Sequence, residues 1–446
     1  MSDRRVPIVP KVPGVPGVRV PMVRRVHRVH RVHRVLRKLN LILIVVLLSI
    51  VVVLVGEARQ ATAAAWPQWR GPGRDGVARL VVPATWPQTL TKRWEITVGA
   101  GHASPVVAGN RVVLHSREGD REIARALDLS SGNELWRNEH VAPYTMNPAA
   151  RGHGPGPKST PVVAGERVFT FGISGILSAL DLATGRLLWR TEAPASPPEF
   201  GTAMSPVVVD STVIVHLGAD DAGALTAFDA ATGKPRWRWT GDGPSYASPV
   251  AATIAGTRQL VTQSENAVVG IAAANGQLLW RVPFKTSFDQ NSITPVVLKD
   301  IVIYSGLDNG TSAMRVTTKG ATWTTVPLWK NEQVSMYMST PVASGNTLFG
   351  LSHRSRGQFF ALDLATGKTL WTTAGREAEN ASIVLAGDLL LLSTTNAELI
   401  IARTNPARFD EIKRYSIANS AVWAHPAFTE RTILVKDVDK LICWGI

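Results

Sequence analysis

Ala179-Leu-Asp-Leu-Ala-Thr-Gly-Arg-Leu-Leu-Trp189 decides the fold, because the same phrase returns along the chain. Full copies occupy residues 126–136, 227–237 and 361–371, and a degraded one occupies 270–280. Its parts do separate physical jobs. The Asp carboxylate accepts a backbone N–H just downstream and the Gly tolerates positive φ, so Asp-x-x-Thr-Gly reverses the chain tightly. The Trp offers a large flat surface for packing on a neighbouring unit. Short apolar strands begin at or beside Pro105, Pro161, Pro206, Pro249, Pro295, Pro341, Ile383 and Pro426, with adjacent starts 42 to 56 residues apart. A period of about 40–50 residues, filled with short strands between turn residues, predicts repeated four-stranded propeller blades.

One unit can be followed through strands at 160–163, 167–172, 177–181 and 187–190. Counting units gives eight. The last, from Pro426, has strands near 427–428, 432–435 and 441–444 and then lacks a fourth. Lys92-Arg-Trp94-Glu-Ile-Thr-Val98 matches the missing Trp-bearing strand, so the N-terminal end is expected to close the ring and remove both open sheet edges. The predicted fold is an all-β, eight-bladed propeller over residues 91–446, preceded by an apolar helix. Seven blades is the alternative, since the units at 295–330 and 383–415 have lost most of the turn signature. The repeated Asp and Trp residues read as turn formers and blade glue rather than catalytic groups.

The net charge of +14 sits mostly in one place. Residues 1–40 carry eleven Lys and Arg against Asp3 alone, while residues 66–446 hold only +4. Basic clusters within the folded part, which a nucleic-acid footprint needs, are not evident. A basic arm before an apolar run is how an orientation signal looks. Residues 1–38 thus read as a cytoplasmic n-region, expected to be disordered, and 39–56 as a signal h-region or transmembrane anchor. Residues 57–90 hold an Ala-x-Ala processing site near Ala65 and a lead-in. Met1 and Met22 are both candidate starts. Either way the propeller is expected outside the cytoplasm, secreted after cleavage or held at the inner membrane by 39–56 if uncleaved. Cys443 is the chain's single cysteine, so no internal disulfide can form.

The Ala-x-Asp-x-x-Thr-Gly-x-x-x-Trp signature resembles the PQQ-type (pyrroloquinoline quinone) repeat, shared by quinoprotein dehydrogenases and BamB-like outer-membrane assembly proteins. Trp66-Pro-Gln-Trp-Arg-Gly-Pro-Gly-Arg-Asp-Gly76 also resembles the opening of exported PQQ-like propellers. The resemblance covers nearly everything after Trp66. For the dehydrogenases it implies PQQ with Ca²⁺ at the propeller centre, often under a disulfide of adjacent cysteines, which this chain cannot form. No catalytic residue and no metal ligand is assigned by motif. The function expected is a non-catalytic, monomeric binding scaffold, BamB-like in architecture. A PQQ-dependent alcohol or sugar oxidoreductase with a reduced pocket is the alternative.

Gly71-Pro-Gly73-Arg-Asp-Gly76 fits the letters of a dinucleotide loop without the strand before it and helix after it. The better site prediction comes from topology. Segments entering the innermost strands cluster at one channel mouth, and here they carry His102, Arg151, His153, Lys158, Tyr246, Lys285, Asp289, Asn291, Tyr337, Asn380 and His425. Converging polar and aromatic groups of this kind suit an unidentified protein or small ligand.

Overall fold

Eight four-stranded antiparallel sheets hold the strands of residues 66–446, the part of the chain that the computed structural model describes. The eight-blade count includes both eroded units: Val296–Leu298 opens blade 5, and Ala381–Ala386 opens blade 7. Blade 8 is completed across the termini. Thr91–Thr97 runs antiparallel to Lys440–Gly445, with Trp94 opposite Cys443. The n-region, the apolar segment and the processing site lie outside the described residues, among which no helix is long and apolar enough to cross a membrane.

The recurrent motif works between blades as well as within them. In each turn the Asp takes backbone N–H groups two or three residues on. Asp181 Oδ1 accepts from Thr184 N at 2.9 Å and from its hydroxyl at 2.7 Å. The outer-strand Trp then reaches the next blade's turn. Trp136 Nε1 donates to Leu182 O at 2.9 Å, Trp189 to Ala230 O at 3.1 Å and Trp329 to Leu364 O at 2.9 Å. Its ring covers the glycine of that turn: a Cβ on Gly185 would lie 2.5 Å from Trp136, and φ there is +71°. Thr-Gly and Trp are therefore partners across a blade boundary. Blade 4 departs from the rule, since Trp280 Nε1 bonds Gln259 Oε1 of its own sheet at 2.8 Å.

Residues 66–90 do more than lead in. Trp66 is fully buried and pairs with Val107 of blade 1, Pro67 O accepts from Val163 N of blade 2, and Gly76 O accepts from Leu385 N of blade 7. Between these anchors two arginines point into the ring. Arg70 donates to Thr340 O at 2.9 Å and Pro341 O at 2.7 Å in blade 6. Arg74 donates to Pro206 O at 2.7 Å and Ser205 O at 3.0 Å in blade 3. The stretch from Trp66 to Gly76 is a plug across the channel. Its Gly-rich spacing serves that path: φ at Gly76 is +78°, and a Cβ there would meet Arg70 Nη2 at 2.7 Å.

Candidate functional site

Proline at a strand start has no N–H to give and biases its predecessor towards extended backbone. In six blades that predecessor is Ser or Thr, and the ring turns these residues into a belt. Ser104 N donates to Thr160 Oγ1 (3.2 Å), Thr160 N to Ser205 Oγ (3.0 Å) and Ser205 N to Ser248 Oγ (2.9 Å). Ser248 N continues to Thr294 Oγ1 (3.0 Å) and Thr294 N to Thr340 Oγ1 (3.3 Å). Each of blades 1 to 5 thus holds the next through a backbone N–H. The belt changes at blade 7, where Ala381 N donates to Ser339 Oγ at 2.9 Å, and blade 8 carries His425 instead of a hydroxyl. Ser382 Oγ and His425 Nδ1 are buried without a partner.

Above the belt lies a cup of about 460 Å³ with contributions from all eight blades. Trp69 of the plug lies on its floor, tilted against His425 with ring centres 5.3 Å apart. The wall has two halves. Over blades 7, 8, 1 and 2 it is mainly polar, with Asn380, Ser382, His425, His102, His153 and Lys158 around Trp423, Val422 and small alanines. Over blades 3 to 6 it is mainly apolar and aromatic, with Phe200, Tyr246, Phe288, Leu307, Tyr337 and Met338. His153 packs edge-on to Trp423 at 4.6 Å and to His102 at 5.9 Å, which ties the polar half together.

Of the residues singled out from sequence, His102, His153, Lys158, Tyr246, Tyr337, Asn380 and His425 line this cup. The other four do not. Arg151 is exposed on the short 3-10 turn Pro148–His153. Lys285 and Asp289 pair with each other at 2.7 Å on the rim. Asn291 is wholly buried and staples its loop, with Nδ2 donating to Ser264 O, Glu265 O and Phe284 O at 2.9–3.1 Å. Sequence reasoning passed over Trp69, which reaches the cup through the plug, and Phe200, which reaches it from the loop entering blade 3.

The cup's electrostatics follow from burial. Desolvation pushes His102 and His425 down to about 3, so both imidazoles are neutral at pH 7. It lowers Lys158 to about 8, leaving the ammonium largely charged at neutrality. Burial also raises the Tyr246 hydroxyl, with Asp220 adding to the effect. Beneath the floor, Arg70 and Arg74 fall only to about 10 and about 9, so both guanidinium charges persist.

The sequence of residues 119–373 matches the family model described as outer membrane protein assembly factor BamB. The chain belongs to that family. BamB of Yersinia pestis is 24% identical over 364 residues, 78% of this chain and 86% of that protein. Among solved structures, BamB from Moraxella catarrhalis superposes with a TM-score of 0.59 at 16% identity, over 80% of this chain and 98% of the other. A quinohemoprotein alcohol dehydrogenase from Comamonas testosteroni gives 0.57 at 13% identity, over 87% and 81%. At such identities these structural likenesses carry the fold alone.

A quinone bridged by Ca²⁺ would need hard oxygen ligands at the channel mouth, chiefly carboxylates. No Asp or Glu lines the cup of this BamB-family propeller. Among the described residues no group of three or more His, Cys, Asp or Glu is arranged to hold a metal ion. The residues present do not fit that cofactor pair.

Proposed function

We propose that this BamB-family propeller acts outside the cytoplasm as a non-catalytic binding scaffold, presenting its channel-mouth face to a protein of an envelope assembly complex. The observation that carries the reading is the composition of the cup. Its wall has no carboxylate, no thiol and, among the described residues, no hydroxyl hydrogen-bonded to an imidazole nitrogen. Nucleophiles are commonly activated by such a pair, and here the His102 ring nitrogens and His425 Nδ1 have no hydrogen-bond partner at all among the described residues. A rigid ring with a broad face needs no such pair. Family membership supports the envelope role, since the relatives are outer membrane protein assembly factors by name. Anchoring through residues 39–56, or release after Ala65, belongs to the same proposal.

Two measurements test it together. Photo-crosslinkers placed at the rim positions Arg151 and Phe288 should trap one envelope protein, and loss of this chain should lower the amounts of assembled outer-membrane proteins. Calorimetric titration of residues 66–446 with PQQ should show no calcium-dependent heat. Micromolar, calcium-dependent PQQ binding with unchanged outer-membrane protein levels would replace the scaffold by a quinoprotein oxidoreductase.

A further inference from the structure

The polar half of the cup holds groups that the fold itself leaves without partners. Asn380 is 6% exposed, and its Oδ1 accepts from Ser339 Oγ, while its Nδ2 has no partner. His425 Nδ1 and Ser382 Oγ are buried and equally without partners, and all three residues lie where the hydroxyl belt is interrupted. Lys158, from blade 2, lines the same cup beside His153, whose ring packs on Trp423 of blade 8. Its Nζ makes one hydrogen bond, to Phe200 O at 2.8 Å. Lys436, which is fully buried, behaves differently. It fills its three donor positions with the carbonyls of Gly101, Asp437 and Val438. Lys158 thus keeps two N–H groups free towards the cup.

Charge points the same way. Among the described residues no carboxylate lies within ion-pair distance of Lys158, Arg70 or Arg74, and no carboxylate lines the wall. Burying cations without counter-ions is costly, and a ligand anion would offset that cost. The opposite half is the more apolar one, with Phe200, Leu307, Met338 and Phe288 beside Tyr246, Tyr337, Gln290 and the belt hydroxyls, and Phe288 is 72% exposed at its rim.

We propose that the cup binds a small amphipathic organic anion, its acidic head against the Lys158–His425–Asn380 arc and its apolar body against the Phe200–Met338 arc. This site goes beyond the scaffold role and needs no metal. A volume of about 460 Å³ suits a ligand of this class.

The test uses intrinsic fluorescence, since Trp69 and Trp423 line the cup, together with calorimetry on the purified protein. The probes are 3-phenylpropionate, phenyl phosphate and the uncharged 3-phenylpropionamide. Either anion should bind saturably and at least tenfold more tightly than the amide, and the preferred anion tells a carboxylate head from a phosphate head. Lys158→Gln should weaken the anion at least tenfold, while Lys158→Arg restores most of the affinity with the same melting temperature as the parent. Equal binding of acid and amide, no binding of any probe, or an unchanged affinity in a folded Lys158→Gln variant would overturn the proposal. Cross-linking to the envelope partner is read separately, so failure of one reading leaves the other intact.

Discussion

At the scale of single residues, the glycine of each Thr-Gly turn is fixed twice, by its own backbone and by its neighbour's tryptophan. Gly185→Ala would place a methyl group 2.5 Å from Trp136 at φ +71°. The combined backbone and overpacking cost should be about 2–4 kcal/mol. Gly165→Ala is the control, with φ +57° and open space around the new methyl group, and should cost only about 1–2 kcal/mol. Urea unfolding of both variants separates the two contributions, and equal losses would contradict the cross-blade contact. The Asp-x-x-Thr-Gly turn was legible in sequence because its hydrogen bonds are local. Which glycine meets which tryptophan was not, since the pair spans some 50 residues and forms only when adjacent blades pack.

The element that sequence reading underestimated is the plug. Arg70 and Arg74 sit in a Gly- and Pro-rich stretch that looks like a solvent-exposed loop, yet both are almost wholly buried. No local pattern announces this, because their partners are backbone carbonyls of blades 3 and 6, which carry no sequence signal. Arg74→Met keeps the bulk of the side chain and leaves the Ser205 and Pro206 carbonyls without their donors. The expected loss is about 2–4 kcal/mol. Native-state hydrogen exchange should rise first at Val207–Val209, the inner strand beside those carbonyls. Protection unchanged there would show that the plug rests on the ring without stabilising it. The belt was hidden for a related reason: Ser or Thr before Pro reads as an ordinary strand entry until six such entries meet around the ring.

For the molecule as a whole, buried histidines set the response to acid. His102, His115 and His425 are pushed down to about 3, and His140 and His216 to about 4, all chiefly by desolvation. Each therefore stabilises the fold above the unfolded value of about 6.5 and loses that contribution as pH falls through the folded value. Glu122 opposes them. Burial raises it to about 7, so its contribution is complete below about 4.5 and is lost as pH rises through 7. Near pH 5 these histidines, with His153 lowered in the same direction, gain protons on unfolding, while Glu122 and the raised Asp220 and Glu265 release theirs; the histidines outnumber the acids, so stability should fall from pH 7 to pH 5. Melting temperatures across that range check the sign, and a flat or rising profile towards acid would refute it. Fold class and blade number were legible from the period, and the channel mouth from topology, but not the division of the cup into a polar and an apolar half. That division depends on which strand entries face each other across the ring.

Ring closure also orders events in time. The strand Thr91–Thr97 finds its partner only in Lys440–Gly445, almost 350 residues later. Loop-closure entropy for that separation is about 5 kcal/mol beyond a constant, and it falls due at the final step. A chain that has not yet delivered its last strand is an open arc with two adhesive edges. In an exported protein those edges would stay open to wrong partners until the last strand arrived.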